Sequence, residues 1–371
     1  MAVTPAFGRA GWRYVRRMLG SGVVTALAGP HGVDRYLGLV SPLWSVGEVR
    51  AVVVGVAHRT ARSVTLSLRP NGNWEGARPG QFVRLAVEID GVRRTRCFSV
   101  AGTGRADGTI EITAKVNPAG TVSRYLKEHA RRGLVVVLSQ AEGEFVLPPA
   151  VPGHVLLISG GSGITPVMSL LRGLLAQGYH GRITFLHYAF APGDVIYRDE
   201  LAALDEANPR LTLAYSYTGL PGAGRLDGRF RREHLAVAPG YADALTYVCG
   251  PASLMDAAGA LWAADGIADR LLIERFTLAL PVPGSTPGTG EVRFARSGRT
   301  VRDDGRTLLE QAEAAGLRPE HGCRMGVCHS CTTVQSAGAV RHVLTGAVSA
   351  EPGQRVQLCV TAPCGDVELD L

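Results

Sequence analysis

A chain of 371 residues, 46% of them hydrophobic, is long enough for two or three domains, each with its own core. Its formal charge of +7 rests almost wholly on arginine, with lysine only at Lys115 and Lys127, and no basic run is interleaved with aromatics, which argues against a nucleic-acid partner. The seven cysteines are odd in number in a chain far larger than a disulfide-stapled domain, no secretory signal is recognisable, and the apolar stretch GSGVVTALAG (20–29) is too short to span a bilayer, so a cytoplasmic protein with reduced thiols is expected.

In chain order, residues 1–45 are a basic extension. The first fifty residues hold six arginines against Asp34 and Glu48, a local charge of +4. Residues 46–150 change texture. AVVVGVAHRTARSVTLSLRP and PGQFVRLAVEIDGVRRTRCFSVAG alternate and turn like paired strands, the second at Asp90-Gly91, and short strands between glycine turns predict a small antiparallel β-barrel. Residues 151–280 alternate strand and helix. HVLLISG (154–160), RITFLHYAF (182–190), LTLAYSYT (211–218), ALTYVCG (244–250) and RLLIERF (270–276) read as strands. PVMSLLRGLLAQG (166–178), YRDELAALDEA (197–207) and PASLMDAAGALWAADG (251–266) read as helices, the last with Pro251 at its start. That order predicts an α/β domain with a parallel sheet. Residues 281–289 lie in a Pro/Gly/Ser/Thr-rich linker. Residues 290–371 begin with two strands around Ser297-Gly298, continue with a helix in TLLEQAEAAGL and close with a strand in DVELDL, an α+β pattern.

Three turns carry the chemistry. GGSGITP (160–166) follows the first α/β strand, where glycines let a dinucleotide pyrophosphate approach a helix N-terminus. The fourth strand ends in Cys249-Gly250-Pro251, so both turns fall at the carboxyl edge of the sheet, where open α/β folds bind ligands. The third turn, HGCRMGVCHSC (321–331), spaces Cys323-x4-Cys328-x2-Cys331, and Cys359 follows in VQLCVTAP. This is the spacing of plant-type 2Fe–2S ferredoxins, in which four thiolates ligate the cluster. Gly322 and Gly326 relieve crowding where the chain wraps the inorganic core, and Arg324 brings positive charge near it. A zinc site is the competing reading, but structural zinc favours paired C-x2-C units, and His329 lies between two better-placed thiolates. Cys364 is outside the pattern and is expected as a buried small hydrophobe.

Residues 290–371 resemble a ferredoxin β-grasp domain. Residues 46–280 resemble the ferredoxin–NADP⁺ reductase superfamily: PGQFV (79–83), Arg96-Cys97-Phe98-Ser99 in place of R-x-Y-S, Gly120-Thr121-Val122-Ser123 as its G-x-x-S segment, GGSGITP, CGP and ERF (274–276) fall in that family's order. The resemblance implies FAD, favoured over FMN because the G-x-x-S segment suits a pyrophosphate, together with NADPH or NADH and the 2Fe–2S cluster. It implies that Arg96 meets flavin phosphate, that Phe98 lies against the isoalloxazine without the usual tyrosine hydroxyl, and that Ser99 hydrogen-bonds near N5. Cys97, Lys115, Gly120, Thr121, Val122 and Ser123 join them as flavin-site residues. Gly161, Ser162, Gly163, Thr165, Pro166, Cys249, Gly250 and Pro251 line the nicotinamide side, and Ser99, Cys249 and Glu274 the site of hydride transfer. Phe190 stands where NADPH-preferring members often carry arginine, and Arg198 is the candidate substitute, so the choice of nucleotide stays open.

This order of modules implies an NAD(P)H-dependent oxidoreductase that hands electrons one at a time to a redox acceptor protein. The segment PHGVDRYL (30–37) resembles actinobacterial reductases that serve membrane-bound di-iron acyl-CoA desaturases. That resemblance makes a fatty-acid desaturase the expected partner, with a Rieske oxygenase, an alkane hydroxylase or a haem monooxygenase as alternatives. An arginine-rich amphipathic arm would sit peripherally on the inner face of the plasma membrane or dock to the partner; the competing reading is that it packs across the barrel.

Overall fold

The computed structural model describes residues 33–102, 107–117, 120–276, 290–321, 326, 329–343 and 346–371. The extension before Val33, the 281–289 linker, Gly322, Cys323, Arg324 and Cys328 lie outside them. The chain divides into two compact units, Met1–Arg275 and Phe276–Leu371.

The first unit begins with helix α1 (Val33–Val40). Asp34 ties it down by accepting from Ser45 Oγ and the Val46 amide, both at 2.6 Å. Asn71 and Asn73 donate to the carbonyls of Leu43 and Ser45, so the strip after α1 is fastened to the barrel. Residues 33–46 therefore do pack on the barrel, yet Tyr36, Leu39 and Val40 on α1 stay exposed.

The barrel strands are β1 (Val49–Ala57), β2 (Ser63–Pro70), β3 (Phe82–Ile89), β4 (Val92–Gly102), β5 (Ile110–Lys115) and β6 (Val135–Leu138). They close in the order β1-β2-β5-β4-β3-β6. Alternation explains the closure: Val49, Ala51 and Val53 of β1 point inward with Val64, Leu66 and Leu68 of β2 and Val83, Leu85 and Val87 of β3. The β3–β4 hairpin turns at Asp90 (φ 51°) and Gly91 (φ 73°), the paired left-handed residues of a type I′ turn. Helix α2 (Thr121–His129) follows β5 and buries Val122 and Leu126.

The α/β part holds β7 (His154–Gly160), β8 (Arg182–Ala189), β9 (Leu211–Tyr217), β10 (Leu245–Cys249) and β11 (Leu271–Glu274), all parallel, in the order β11-β10-β7-β8-β9. Helices α3 (Ile164–Ala176), α4 (Arg198–Ala207) and α5 (Ala252–Ala264) cover it. α3 is apolar nearly all round because it is wedged between the sheet and the barrel. Strand order reverses between β7 and β10, which sets their two glycine turns side by side at the carboxyl edge.

The second unit is a sheet of β12 (Glu291–Phe294), β13 (Arg299–Arg302), β14 (Thr332–His342), β15 (Val348–Ser349) and β17 (Thr361–Leu369), in the order β13-β12-β17-β14-β15, with β16 (Arg355–Gln357) paired to β14. Helix α6 (Leu308–Ala314) packs Leu308, Leu309 and Ala312 into its core and starts at a capping box between Thr307 and Glu310. Cys364 corrects its expectation: it is exposed, on the outward side of β17 just before Gly365 (φ 88°), where the alternation of the strand turns the thiol away from the core.

Candidate flavin, nicotinamide and iron–sulfur sites

β4 carries Arg96-Cys97-Phe98-Ser99 along one edge of the barrel. Arg96 Nη1 donates to Thr95 O (2.7 Å), Phe98 leans half-buried against the barrel core, and Cys97 is partly exposed. Ser99 is buried at 3% exposure, opposite Phe82. Across the seam, Thr165 in the first turn of α3 directs its hydroxyl to Ser162 O (3.1 Å) and Ser99 Oγ (3.4 Å). The two motifs, 66 positions apart in sequence, thus meet at a serine–threonine contact.

Gly120 is the N-cap of α2 and, as a glycine, offers no side chain to cap the helix. Ser123, the serine of the G-x-x-S segment, instead accepts from the Asn117 amide (3.2 Å), and a Cβ at position 120 would sit 2.9 Å from that Oγ. A helix N-terminus that starts at a glycine suits an anion such as a pyrophosphate.

The nicotinamide-side turns fit just as closely. Gly161 takes φ 54°, and α3 starts at Ile164. A Cβ on Gly160 would meet Pro251 Cδ at 2.7 Å, and one on Gly163 would meet Cys249 O at 2.1 Å. The glycines are there because the β7 and β10 turns pack backbone against backbone. Pro251 is the N-cap of α5, one position before the first helical residue. Lys115, at the end of β5, reaches the same turn: its Nζ lies 3.5 Å from where a Gly161 Cβ would be.

Beneath these turns, Glu274, Cys249, Ser159, His187 and Tyr215 stand in register on adjacent parallel strands. Burial pushes the Glu274 carboxyl well above the usual carboxylate range, and its Oε2 has no hydrogen-bond partner among the described residues. Burial, then the neighbouring Glu274, pushes the Cys249 thiol up. In both groups burial favours the uncharged, protonated form. Ser159 Oγ lies 2.8 Å from His187 Nδ1, and burial, reinforced by the charge of Lys115, pushes that imidazole down to about 3. The row is a line of polar side chains at the carboxyl end of the sheet, buried at Ser159, His187 and Cys249 and half-buried at Glu274 and Tyr215. Sequence reasoning missed Ser159 and His187, although single polar residues inside the apolar runs HVLLISG and ITFLHYA were a visible signal.

Phe190 is exposed, and its ring covers Gly219, where a Cβ would come within 2.6 Å of it. Arg198 is exposed at the start of α4, and its charge reaches the phenols of Tyr215 and Tyr217.

In the second unit Cys331 and Cys359 are both buried, and the Cys359 amide donates to Cys331 Sγ at 3.4 Å. The Leu358 amide donates to Cys331 O (3.0 Å), which draws the two cysteine-bearing segments together. Gly326 has φ 77°, a Cβ there would meet Val360 Cγ1 at 2.8 Å, and its carbonyl accepts from Gln357 Nε2 (2.7 Å). A left-handed, side-chain-free residue in the cysteine loop and an amide aimed at a cysteine sulfur suit a thiolate-bound cluster.

The fold and these sites define a flavin- and nicotinamide-dependent electron-transfer protein fused to a ferredoxin module. The chain belongs to the family of ferredoxin reductase-type oxidoreductases with a C-terminal 2Fe–2S domain. It matches the oxidoreductase FAD-binding domain over residues 56–146, the oxidoreductase NAD-binding domain over 157–259 and the 2Fe-2S iron-sulfur cluster binding domain over 292–364. Its cofactors are FAD, NAD(P)H and a 2Fe–2S cluster. It is 36% identical over 366 residues to an "NADPH oxidoreductase" of Mycobacterium tuberculosis, covering 97% of this chain and 93% of that protein. It is 28% identical over 319 residues to the "Glycine betaine monooxygenase reductase subunit" of Pseudomonas aeruginosa, covering 79% and 87%. Among solved structures it resembles phthalate dioxygenase reductase, with a TM-score of 0.60 at 23% identity over 88% of this chain and 98% of that one.

Proposed function

We propose that the protein is the NADPH-consuming reductase of an oxygen-activating enzyme and that its acceptor is a membrane di-iron acyl-CoA desaturase. The observation that carries the reductase role is the Ser99–Thr165 contact, which brings the flavin motif and the nicotinamide turn into one cleft in a chain that also holds a 2Fe–2S domain. FAD, when bound, accepts a hydride, and the cluster carries single electrons onward. The residues do the rest. The amides of the first turn after Gly120 and of the Gly161–Gly163 turn, with Lys115, hold phosphate charge. Ser99 presents a hydroxyl to the ring edge, while Phe98 supplies a face without a phenol. Glu274 and Cys249, whose burial disfavours their charged forms, wall the nicotinamide, and hydride transfer needs no general base from them.

For NADPH, the support is the "NADPH oxidoreductase" relative, with the exposed Arg198 at the start of α4 as the candidate for the 2′-phosphate. For the desaturase, support comes from PHGVDRYL and from the exposed stripe Tyr36, Leu39 and Val40, spaced i, i+3, i+4 on a helix pinned to the barrel by Asp34. No helix among the described residues is long and apolar enough to cross a membrane. A second reading, the reductase component of a Rieske oxygenase, an alkane hydroxylase or a haem monooxygenase, is favoured by the relative named as a glycine betaine monooxygenase reductase subunit. The test reconstitutes the protein with membranes holding a di-iron acyl-CoA desaturase and measures NADPH-dependent desaturation beside dye reduction. Desaturation that falls in a Leu39→Ser/Val40→Ser variant with dye reduction unchanged supports the reading. Equal loss of both activities, or faster transfer to a Rieske oxygenase component, contradicts it.

A further inference from the structure

The hydride-transfer cleft is assembled from two folding parts, with Ser99 on the barrel and Thr165 on α3. Their separation is set by whatever fixes α3 against the barrel. One stripe of α3 does this: Thr165, Ser169, Arg172 and Gly173 meet the barrel in turn. Ser169 Oγ donates to Val100 O (2.7 Å) and accepts from the Gly80 amide (3.0 Å). Gly173 lies so close to Pro79 that a Cβ would stand 2.6 Å from its Cγ. Arg172 Nη1 donates to Ala101 O (2.7 Å) and Glu111 Oε1 (2.9 Å). The helix thus reads off Ser99, Val100 and Ala101 residue by residue.

Arg172 is the centre of the arrangement. Its remaining edge grips Glu200 of α4 with two bonds, Nε to Oε1 at 2.7 Å and Nη2 to Oε2 at 2.6 Å. The guanidinium lies 5.0 Å over the ring of Tyr197, whose hydroxyl is 2.7 Å from Thr113 on β5, itself 2.8 Å from Thr65 on β2. Glu111 is 2% exposed, an expensive place for a carboxylate unless a cation faces it. Only the planar fork of arginine can bind a strand carbonyl, a barrel carboxylate and a helix carboxylate at once.

We propose that Arg172 is a positioning residue for hydride transfer: held between Glu111 and Glu200, it fixes α3 on β4 and so sets the distance across the Ser99–Thr165 seam. The proposal rests on the reductase reading above, which the reduction of wild-type flavin by NADPH reports by itself. The experiment is stopped-flow anaerobic flavin reduction by saturating NADPH in FAD-loaded wild type, Arg172→Lys, Glu200→Gln and Glu111→Gln/Arg172→Met. It is paired with the long-wavelength charge-transfer absorbance on adding NADP⁺, the deuterium isotope effect with 4-deuterated NADPH, and melting temperature. Arg172→Lys keeps the charge but not the fork, and the double variant removes the buried carboxylate's cost, so one folded protein is always measured. The proposal predicts that Arg172→Lys lowers the reduction rate constant about tenfold to a hundredfold with little change in NADPH affinity, weakens the charge-transfer band and raises the isotope effect. A lower melting temperature with the rate constant, band and isotope effect all at wild-type values would overturn it and leave Arg172 as a structural bolt only.

Discussion

Gly163 shows how tightly single residues are specified at the nucleotide edge. Its φ is an ordinary −63°, so the demand is for space: a methyl group would fall 2.1 Å from the carbonyl oxygen of Cys249. Gly163→Ala should therefore push the two turns apart, costing about 1–3 kcal/mol of stability and raising the KM for NADPH. Thermal unfolding and steady-state dye reduction check it; a variant with wild-type stability and KM contradicts the close packing. Glu274 gives a prediction in pH. Burial raises its pKa, so the folded state holds a proton that the unfolded chain releases above pH 4.5. Its contribution to stability is complete below that pH and is lost as pH rises through the raised folded value. Glu274→Gln should flatten the decline of melting temperature above pH 4.5, and unchanged pH dependence would show that another group carries it.

At the scale of elements, the α6 capping box is the clearest local device. Thr307 Oγ1 accepts from the Glu310 amide and Glu310 Oε2 accepts from the Thr307 amide, closing the first turn of a helix only seven residues long. Thr307→Ala should cost about 1 kcal/mol, seen as a lower midpoint for the second unit in denaturant. In the cysteine loop, Gly326→Ala would bring a methyl group to 2.8 Å from Val360 at a left-handed residue, so cluster content per chain, read from visible absorbance, should fall while flavin content holds. Elements with a simple period were legible. The Asp90-Gly91 hairpin, the five parallel strands and the helices between them follow from alternation, apolar runs and turn residues. The Arg172–Glu111–Glu200 group was not, because its members lie 61 and 28 residues apart and look like surface charges until the barrel meets α3. Cys364 misled for a related reason: the facing of one strand residue depends on a register that composition does not give.

On the scale of the molecule, the chain joins two units with separate cores, Met1–Arg275 and Phe276–Leu371. Flavin and nicotinamide chemistry belongs to the first and cluster chemistry to the second, so the two should be separable by mutation. Cys331→Ser, which removes a proposed ligand buried beside Cys359, should abolish the cluster and electron delivery to a protein acceptor while flavin reduction by NADPH continues at about the wild-type rate. The central claim is that one chain takes a hydride at a cleft built around Ser99 and Thr165 and delivers electrons through a cluster held by Cys323, Cys328, Cys331 and Cys359. The measurement that tests it most directly is an anaerobic titration of the holoprotein with NADPH, followed by visible absorbance, with NADH in parallel. The account predicts that flavin and cluster bands both bleach, with NADPH effective at the lower concentration. Flavin that bleaches beside a cluster band that never responds, or a protein that carries no cluster band, would contradict it.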